Sequence, residues 1–130
     1  PYSIGKHTQE QYLQLVKEAY ATNNSQPVFA INWGFIKKCM SGKFNGTLVV
    51  MMGCDGLRDP FIIKEILNQG AIGYISWTGP VSISHSDKAT LCLIQTLYIK
   101  KMPIEQAVEK TNTQIGEDPA WGTVLDYCVP

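Results

Sequence analysis

Cys54 is the side chain of this sequence with the clearest potential for chemistry. It follows a run of apolar and β-favouring residues, TLVVMM, and it lies between Gly53 and the pair Asp55-Gly56. The pattern predicts a buried strand with a cysteine just beyond its carboxyl end, where open α/β sheets bind ligands. Flanking glycines would leave the thiol uncrowded, and unpaired N–H groups nearby would favour a thiolate or an oxyanion. Cys54 is therefore a candidate nucleophile, with an inert core cysteine as the alternative.

A cysteine nucleophile also needs a general base, and the sequence contains two histidines. His7 lies in a polar segment, SIGKHTQEQY, that leads into a predicted helix. His85 lies near the start of a predicted long helix, where the helix dipole disfavours an imidazolium. His7 is the candidate base, with a polar position leading to a helix cap as its alternative, and His85 is expected to cap its helix and form hydrogen bonds.

Four further residues are candidates for substrate binding. Asp87 follows the second predicted strand, which ends at Trp77, so it should open on the same edge of the sheet as Cys54. A carboxylate there could bind a basic side chain, although a helix N-cap is an equally good interpretation. Trp77 could form a pocket wall, but a core position is its alternative. Gly53 and Asp55 complete the set because they lie in the cysteine turn itself, where a solvated loop carboxylate is the other interpretation of Asp55.

Composition predicts one compact domain. The chain has 130 residues, of which 45% are hydrophobic and 17% charged. Eleven basic and eleven acidic side chains cancel, so charge gives no indication of a nucleic-acid or membrane partner. No apolar stretch reaches the roughly 18 to 20 residues that span a bilayer. The glycine spacing matches neither a P-loop nor a dinucleotide fingerprint, and no cofactor is predicted. The widely spaced cysteines form no CxxC pair, which argues against zinc and favours reduced thiols: Cys39, Cys54, Cys92 and Cys128.

Hydrophobic periodicity and turn residues predict an α/β order of elements. The predicted fold is a three-layer αβα sandwich with a mostly parallel sheet. Its central unit is a strand, a crossover helix and a second strand parallel to the first. The predicted elements are a helix from a Thr8-x-x-Gln11 capping box to about Ala21, a short apolar run Val28 to Ile31, a brief helix capped by Asn32, a strand Thr47 to Met52, a helix from Asp59-Pro60 to Gly70, a strand Ala71 to Trp77, a long helix capped by Ser84, Ser86 or Asp87, a helix from Pro103 to Gly116, and an edge strand Thr123 to Val129.

Each predicted helix also has an expected inward face. The residues assigned to these faces are apolar and recur at helical spacing. They include Phe35, Ile36, Cys39 and Met40 in the brief helix, Phe61, Ile62, Ile66 and Leu67 in the next, Ala89, Leu91, Leu93, Ile94, Leu97 and Tyr98 in the long helix, and Ile104, Ala107, Val108, Thr111 and Ile115 in the last.

Three successive segments together resemble one known family. VVMMGCDG resembles an apolar strand that leads into a nucleophile turn, and NQGAIGYISWTGPVSISHSD resembles the following strand, tryptophan, loop and acidic residue. LCLIQTLYIKKMPIEQAVEK resembles the long helix, turn and helix that come next. In this order, from about Val28 onward, they are similar to the carboxyl-terminal part of a caspase-like (clan CD) cysteine peptidase, nearest to the CHAT, gingipain and separase group.

The resemblance implies a cysteine endopeptidase that attacks a peptide bond and forms an acyl-enzyme. It implies Cys54 as the nucleophile, with its own backbone N–H in the oxyanion hole, and Asp87 in the pocket for a basic P1 side chain. The family's base is a histidine in a His-Gly or His-Ser turn, which this sequence lacks. The resemblance therefore predicts that residues 1–130 are the carboxyl-terminal part of the domain, that the sheet is incomplete on its amino-terminal side, and that the histidine lies upstream of Pro1.

Two other functions stay open at this point. Without its base, the domain could be a catalytically inactive caspase-like scaffold or interaction module. Alternatively, the GCDG turn could cradle a small anion in an α/β binding domain, which rests on fold logic alone. The expected partners are a peptide or protein substrate and an upstream segment of the same protein. A truncated sheet would also expose a strand edge, which predicts poor behaviour of residues 1–130 in isolation.

Overall fold

The computed structural model describes residues 1–130 and is an α/β structure with two small sheets. The class predicted from the sequence is confirmed at this level. In chain order the elements are α1 (Thr8–Tyr12), β1 (Val16–Ala19), β2 (Val28–Ile31), α2 (Trp33–Cys39), β3 (Leu48–Met51), α3 (Pro60–Asn68), β4 (Gly73–Trp77), α4 (Ile83–Ile94) with a π-helical turn (Gln95–Ile99), α5 (Ile104–Ile115) and β5 (Leu125–Cys128).

The larger sheet has the order β3-β4-β5, with β3 parallel and β5 antiparallel to β4. The parallel pairing of the two predicted strands and the carboxyl-terminal edge strand are thus confirmed. The sheet is mixed rather than mostly parallel, because one of its two strand pairs is antiparallel. The register places Met51 beside Ser76, so β3 and β4 end at the same edge of the sheet.

The core lies on both faces of β4, all five residues of which are buried. Alternate side chains of a strand point to opposite faces, so Ile75 and Trp77 join one cluster and Tyr74 joins the other. The first cluster includes residues from α4 and α5, and the second includes residues from α2 and α3. The members are Ile75, Trp77, Val81, Ala89, Leu93, Ala107, Val108 and Leu125 in the first, and Ile36, Ile63, Ile66, Ala71 and Tyr74 in the second.

The amino-terminal helix is much shorter than predicted. It ends at Tyr12, because Gln14 adopts a left-handed φ of 56° and the chain continues as β1. β1 pairs antiparallel with β2 as a separate two-stranded sheet. The predicted capping box does not form either: the Gln11 side-chain amide instead donates to backbone carbonyls, the closest being Lys6 O at 2.6 Å. A periodic apolar pattern over so short a segment did not distinguish a helix from a strand.

The helix boundaries near the candidate site agree with the sequence in two cases and differ in a third. The side chains of Asn32 and Asp59 cap α2 and α3 as predicted. Gly70, with φ of 102°, follows Gln69, the C-cap residue of α3. The long helix α4, however, begins after Ser82, so the predicted caps Ser84, Ser86 and Asp87 are wrong. Asp87 is therefore a residue within the helix rather than its N-cap.

Several residues assigned to inward faces are exposed. Helices at the surface of a small domain bury only a narrow stripe, and in α4 that stripe includes Ser86, Ala89, Cys92 and Leu93. Small and polar side chains thus take inward positions that hydrophobicity alone gave to larger residues. The exposed residues are Cys39, Phe61, Leu91, Ile94 and Tyr98.

All four cysteines are free thiols. No group of three or more His, Cys, Asp or Glu side chains is arranged to hold a metal ion. None of the helices has both the length and the apolar character that a membrane-spanning segment needs.

Two leucines of α4 test the assigned burial. Leu93 is 0% exposed in the core, so Leu93→Ala should lower the free energy of unfolding by about 2 to 5 kcal/mol. Leu91 is 61% exposed on the same helix, and Leu91→Ala should change the free energy of unfolding by about 0.5 kcal/mol or less. Urea denaturation of both variants measures the difference. Equal losses would contradict the orientation of α4.

Candidate functional site

Cys54 lies in the turn that follows β3, three residues beyond the end of the strand, and its side chain is exposed. Its Sγ accepts a hydrogen bond from Val81 N at 3.4 Å and lies 3.6 Å from Val81 O, to which the thiol can donate. The backbone N–H of Cys54 donates no hydrogen bond within the chain. The sulfur is therefore held by one residue of a neighbouring loop, and a free N–H lies beside it.

Side chains and backbone at the end of β4 fix the cysteine turn. Ser76 Oγ donates to Met51 O at 2.5 Å, and the Tyr74 hydroxyl donates to Gly56 O at 3.0 Å. Burial raises the pKa of Tyr74, and the nearby Cys128 raises it further, so the phenol remains a hydrogen-bond donor. Asp55 N donates to Gly79 O at 3.0 Å. These contacts join the turn after β3 to the strand and loop beside it.

The two glycines of the turn have different roles: Gly53 leaves open space, as expected, whereas Gly56 allows close packing. A Cβ on Gly56 would overlap the Ser76 side chain and lie 2.8 Å from its Cβ, so this position requires a glycine for close packing. A Cβ on Gly53 would meet nothing within 4 Å, which leaves open space before the thiol. The left-handed residue of the turn is Asp55, with φ of 56°, rather than either glycine.

A small cleft of about 200 Å³ brings Cys54 and Asp87 together. Asp87 lies on α4 and is exposed. The two residues are distant in the sequence, but the loops after β3 and β4 leave the same edge of the sheet. The cleft also contains apolar side chains and two hydroxyls, and no basic side chain lines it. The lining residues are Met52, Gly53, Cys54, Val81, Ile83, Ser86, Asp87 and Thr90.

Trp77 lies beneath the cleft and does not form its wall. It is 1% exposed, and its Nε1 donates to Ser86 Oγ at 3.3 Å. Ser86 Oγ in turn donates to Met52 O at 2.9 Å. This chain of hydrogen bonds ties the first turn of α4 to the end of β3, and it fixes Asp87 relative to Cys54.

Neither histidine lines the cleft. His7 precedes α1, and its ring packs edge-on against Phe29 of β2 at 5.0 Å between centroids. His85 Nε2 lies 3.2 Å from Gly116 O, and the ring lies 5.5 Å from the Trp77 ring. His85 thus forms a hydrogen bond, as expected from the sequence, but with a residue 31 positions away and not as a helix cap. The His7 ring packs against the smaller sheet.

Asp118 is a residue of the site that the sequence did not indicate. It is 1% exposed, and its carboxylate accepts hydrogen bonds from Ser82 N at 2.8 Å, Ala120 N at 2.9 Å and Trp121 N at 3.1 Å. Burial raises the pKa of this carboxyl, but the hydrogen bonds from the N–H donors together outweigh burial, and the pKa lies below its usual value. The available sequence signal was Asp118-Pro119, a dipeptide typical of a turn in which the aspartate bonds nearby N–H groups.

A larger cleft elsewhere contains another thiol in a different setting. It measures about 550 Å³, and its lining includes Leu57, Ile63, Leu67, Asp126 and Cys128. Burial raises the pKa of the Cys128 thiol and Asp126 raises it further, so Cys128 is held as a neutral thiol. Since the thiolate is the nucleophile, this cleft is a weaker candidate for thiol chemistry than the smaller one.

Comparisons with protein-family models, curated proteins and solved structures found no significant match. The assignment of the site therefore rests on its geometry. That geometry combines an exposed thiol, a free N–H beside it and a carboxylate in the same cleft.

Acid should remove the stability that Asp118 contributes. Because its folded-state pKa is lowered, this contribution is fully present above the unfolded-state pKa of about 3.9 and is lost as pH falls through the folded-state value. Asp118→Asn should therefore lower the free energy of unfolding at neutral pH, and the gap to wild type should narrow below about pH 4. Urea denaturation across pH measures it, with the exposed Asp126→Asn as the matched charge control. A free-energy difference between wild type and Asp118→Asn that stays constant into acid would contradict the lowered pKa of Asp118.

Proposed function

We propose that the Cys54 cleft is the nucleophile site of a caspase-like cysteine endopeptidase. The observation that carries this proposal is the exposed thiol beyond the carboxyl end of β3, with its own N–H free and Asp87 in the same cleft. The α/β arrangement, with packed helices on both faces of β4, supports a three-layer caspase-like fold for the complete domain. The order of segments from about Val28 onward supports the same family.

In the proposed reaction the Cys54 thiolate attacks the carbonyl carbon of a peptide bond. The carbonyl oxygen becomes an oxyanion, which the free Cys54 N–H stabilises as a hydrogen-bond donor. Collapse of this intermediate breaks the C–N bond, and the leaving amine takes a proton from a general acid. Water then hydrolyses the thioester, which releases the new carboxyl group and regenerates the thiol.

The general base is proposed to be a histidine outside residues 1–130. The cleft contains no imidazole, which supports a base supplied by another segment. β3 is an edge strand with one side unpaired, and a further strand can add there by backbone hydrogen bonds. A histidine carried on such a strand would approach Cys54 from the side opposite β4.

The cleft is proposed to accept a basic side chain of the substrate. Asp87 is the only charged residue among those that line it, and the volume of about 200 Å³ suits a single side chain. The apolar walls formed by Met52, Val81 and Ile83 would contact the methylene groups of lysine or arginine. Gly53 would allow the substrate backbone to approach, since its Cα faces open space.

A non-catalytic scaffold is the second candidate function. The observation that favours it is the position of His7 and His85 outside the cleft. In this case Cys54 would be an exposed thiol with no activating group, and the fold would serve for interaction.

Covalent labelling distinguishes the two functions. A peptidyl acyloxymethyl ketone with lysine at P1, incubated with the full-length protein, should label Cys54 stoichiometrically, because it presents an electrophile at the position of the scissile carbonyl. Cys39 is also exposed but lies on α2, and it should remain unlabelled. Peptide mapping by mass spectrometry locates the label, and Cys54→Ala should abolish turnover. Folded protein in which Cys54 stays unlabelled, or reacts no faster than Cys39, would exclude the endopeptidase.

The role of Asp87 is tested by a change of one atom. Asp87→Asn should slow labelling by the lysine probe roughly 10- to 100-fold, because a hydrogen bond to a charged group is lost. Labelling by the matching norleucine probe should change little. Asp126→Asn, at an exposed position on β5, is the control and should affect neither rate. Equal slowing of both probes would show that Asp87 does not select a basic side chain.

A further inference from the structure

We propose that the turn from Asp118 to Thr123 positions the Cys54 thiol by orienting the two peptide units on either side of Val81. Asp118 and Thr123 do not touch the sulfur themselves. Each is a positioning residue that bonds one end of a peptide unit whose other end contacts Cys54. The consequence for catalysis rests on the proposed function, but the positioning itself does not.

The first peptide unit joins Val81 to Ser82. Its N–H end, Ser82 N, donates to Asp118 Oδ2 at 2.8 Å. Its carbonyl end, Val81 O, lies 3.6 Å from Cys54 Sγ and accepts from the thiol. A trans peptide is planar, with its C=O and N–H directed to opposite sides, and no peptide bond of the chain is cis. The buried Asp118 carboxylate therefore sets the direction of the carbonyl that the thiol meets.

The second peptide unit joins Pro80 to Val81 and is held in the same way. Its carbonyl end, Pro80 O, accepts from Thr123 Oγ1 at 2.6 Å. Its N–H end, Val81 N, donates to Cys54 Sγ at 3.4 Å. Thr123 therefore sets the direction of the N–H that the sulfur accepts. Both contacts of the thiol thus depend on one turn near the carboxyl end of the chain.

The turn is itself rigidly held, which makes it suitable for positioning. Asp118 Oδ1 accepts from Ala120 N and Trp121 N, and Asp118 N donates to Thr123 O at 2.9 Å. Asp118 also bonds the backbone N–H of Ser82, the N-cap residue of α4, whose own side chain makes no capping hydrogen bond. An anion at a helix N-terminus is stabilised by the helix dipole. The same carboxylate therefore contacts the start of α4, which carries Ser86 and Asp87.

The two contacts favour opposite protonation states of the sulfur. The Val81 N–H stabilises a thiolate, whereas the Val81 carbonyl stabilises a protonated thiol. Loosening one peptide unit should therefore shift the pH dependence of Cys54 reactivity in one direction, and loosening the other should shift it in the opposite direction. General destabilisation of the fold cannot produce two opposite shifts.

The test measures the alkylation of Cys54 by iodoacetamide as a function of pH, with each cysteine quantified separately by mass spectrometry. In Thr123→Val the pH of half-maximal rate should rise by roughly 0.3 to 1 unit, because the N–H contact is weakened. In Asp118→Asn it should fall by a similar amount, because the carbonyl contact is weakened and a buried negative charge is removed. The charged residues of the cleft and of the cysteine turn, which are Asp87, Asp55 and Arg58, are unchanged in both variants.

Two controls accompany the measurement. Cys39 is exposed on α2, and its profile should be the same in every variant. Asp126→Asn removes a carboxylate from β5 without touching the turn, and it should leave the Cys54 profile unchanged. Profiles identical to wild type in both test variants, or shifts in the same direction, would overturn the proposal. If Asp118→Asn does not fold, Thr123→Val decides alone, and an unchanged or lowered midpoint refutes the positioning.

The outcome of the alkylation test does not depend on whether the protein is an endopeptidase. Iodoacetamide is small and uncharged, so its reaction requires neither the substrate pocket nor a general base. Opposite shifts in protein that fails to react with the peptidyl probe would support the positioning and reject the proposed function. Labelling by the peptidyl probe with unshifted alkylation profiles would support the proposed function and reject the positioning.

Discussion

The parallel pairing of β3 with the buried strand β4 is the constraint on which the rest of the structure depends. Every residue of β4 is buried, and its register places Ser76 beside Met51. Both chains therefore leave the sheet at one edge, and the turn that carries Cys54 meets the loop that carries Val81. A change of register by one residue would move Ile75 and Trp77 from one face of the sheet to the other and would separate the two loops.

Backbone groups that leave the sheet at this edge must find partners outside the strand ladder. They find them in each other and in the carboxyl-terminal turn: Asp55 N bonds Gly79 O, Tyr74 bonds Gly56 O, and Thr123 bonds Pro80 O. No buried side-chain nitrogen or oxygen lacks a hydrogen-bond partner. The candidate site is thus an assembly of three hydrogen-bonded loops, and the N–H of Cys54, like those of Gly53 and Gly56, has no partner within the chain.

The parts of the fold that could be predicted from the sequence depend on local signals. The Asp59 cap, the glycine after α3 and the apolar runs of β3 and β4 each have a cause within a few residues. The parts that were missed depend on distant contacts. β1 forms because β2 pairs with it, and the Ser82 N–H at the start of α4 is bonded by Asp118, which lies far along the chain. Asp118-Pro119 predicts a turn, but it gives no indication of which helix terminus the carboxylate will contact.

The same distinction applies to the site. The approach of Asp87 to Cys54 was predictable from the topology, because loops that follow parallel strands share an edge. The two hydrogen bonds of Cys54 Sγ were not predictable, because their partners are backbone atoms of Val81, and backbone atoms carry no sequence signature. Gly56 combines both kinds of information. The glycine is visible in the sequence, but the reason that a glycine is needed there, the closeness of Ser76, is seen only in the tertiary structure.

The charge of the cleft also bears on its chemistry. Asp87 is unopposed by any basic residue among those that line the cleft. An unpaired carboxylate makes the cleft receptive to a cation. Under the proposed function, this cation would be a basic side chain of the substrate or the imidazolium of an incoming histidine.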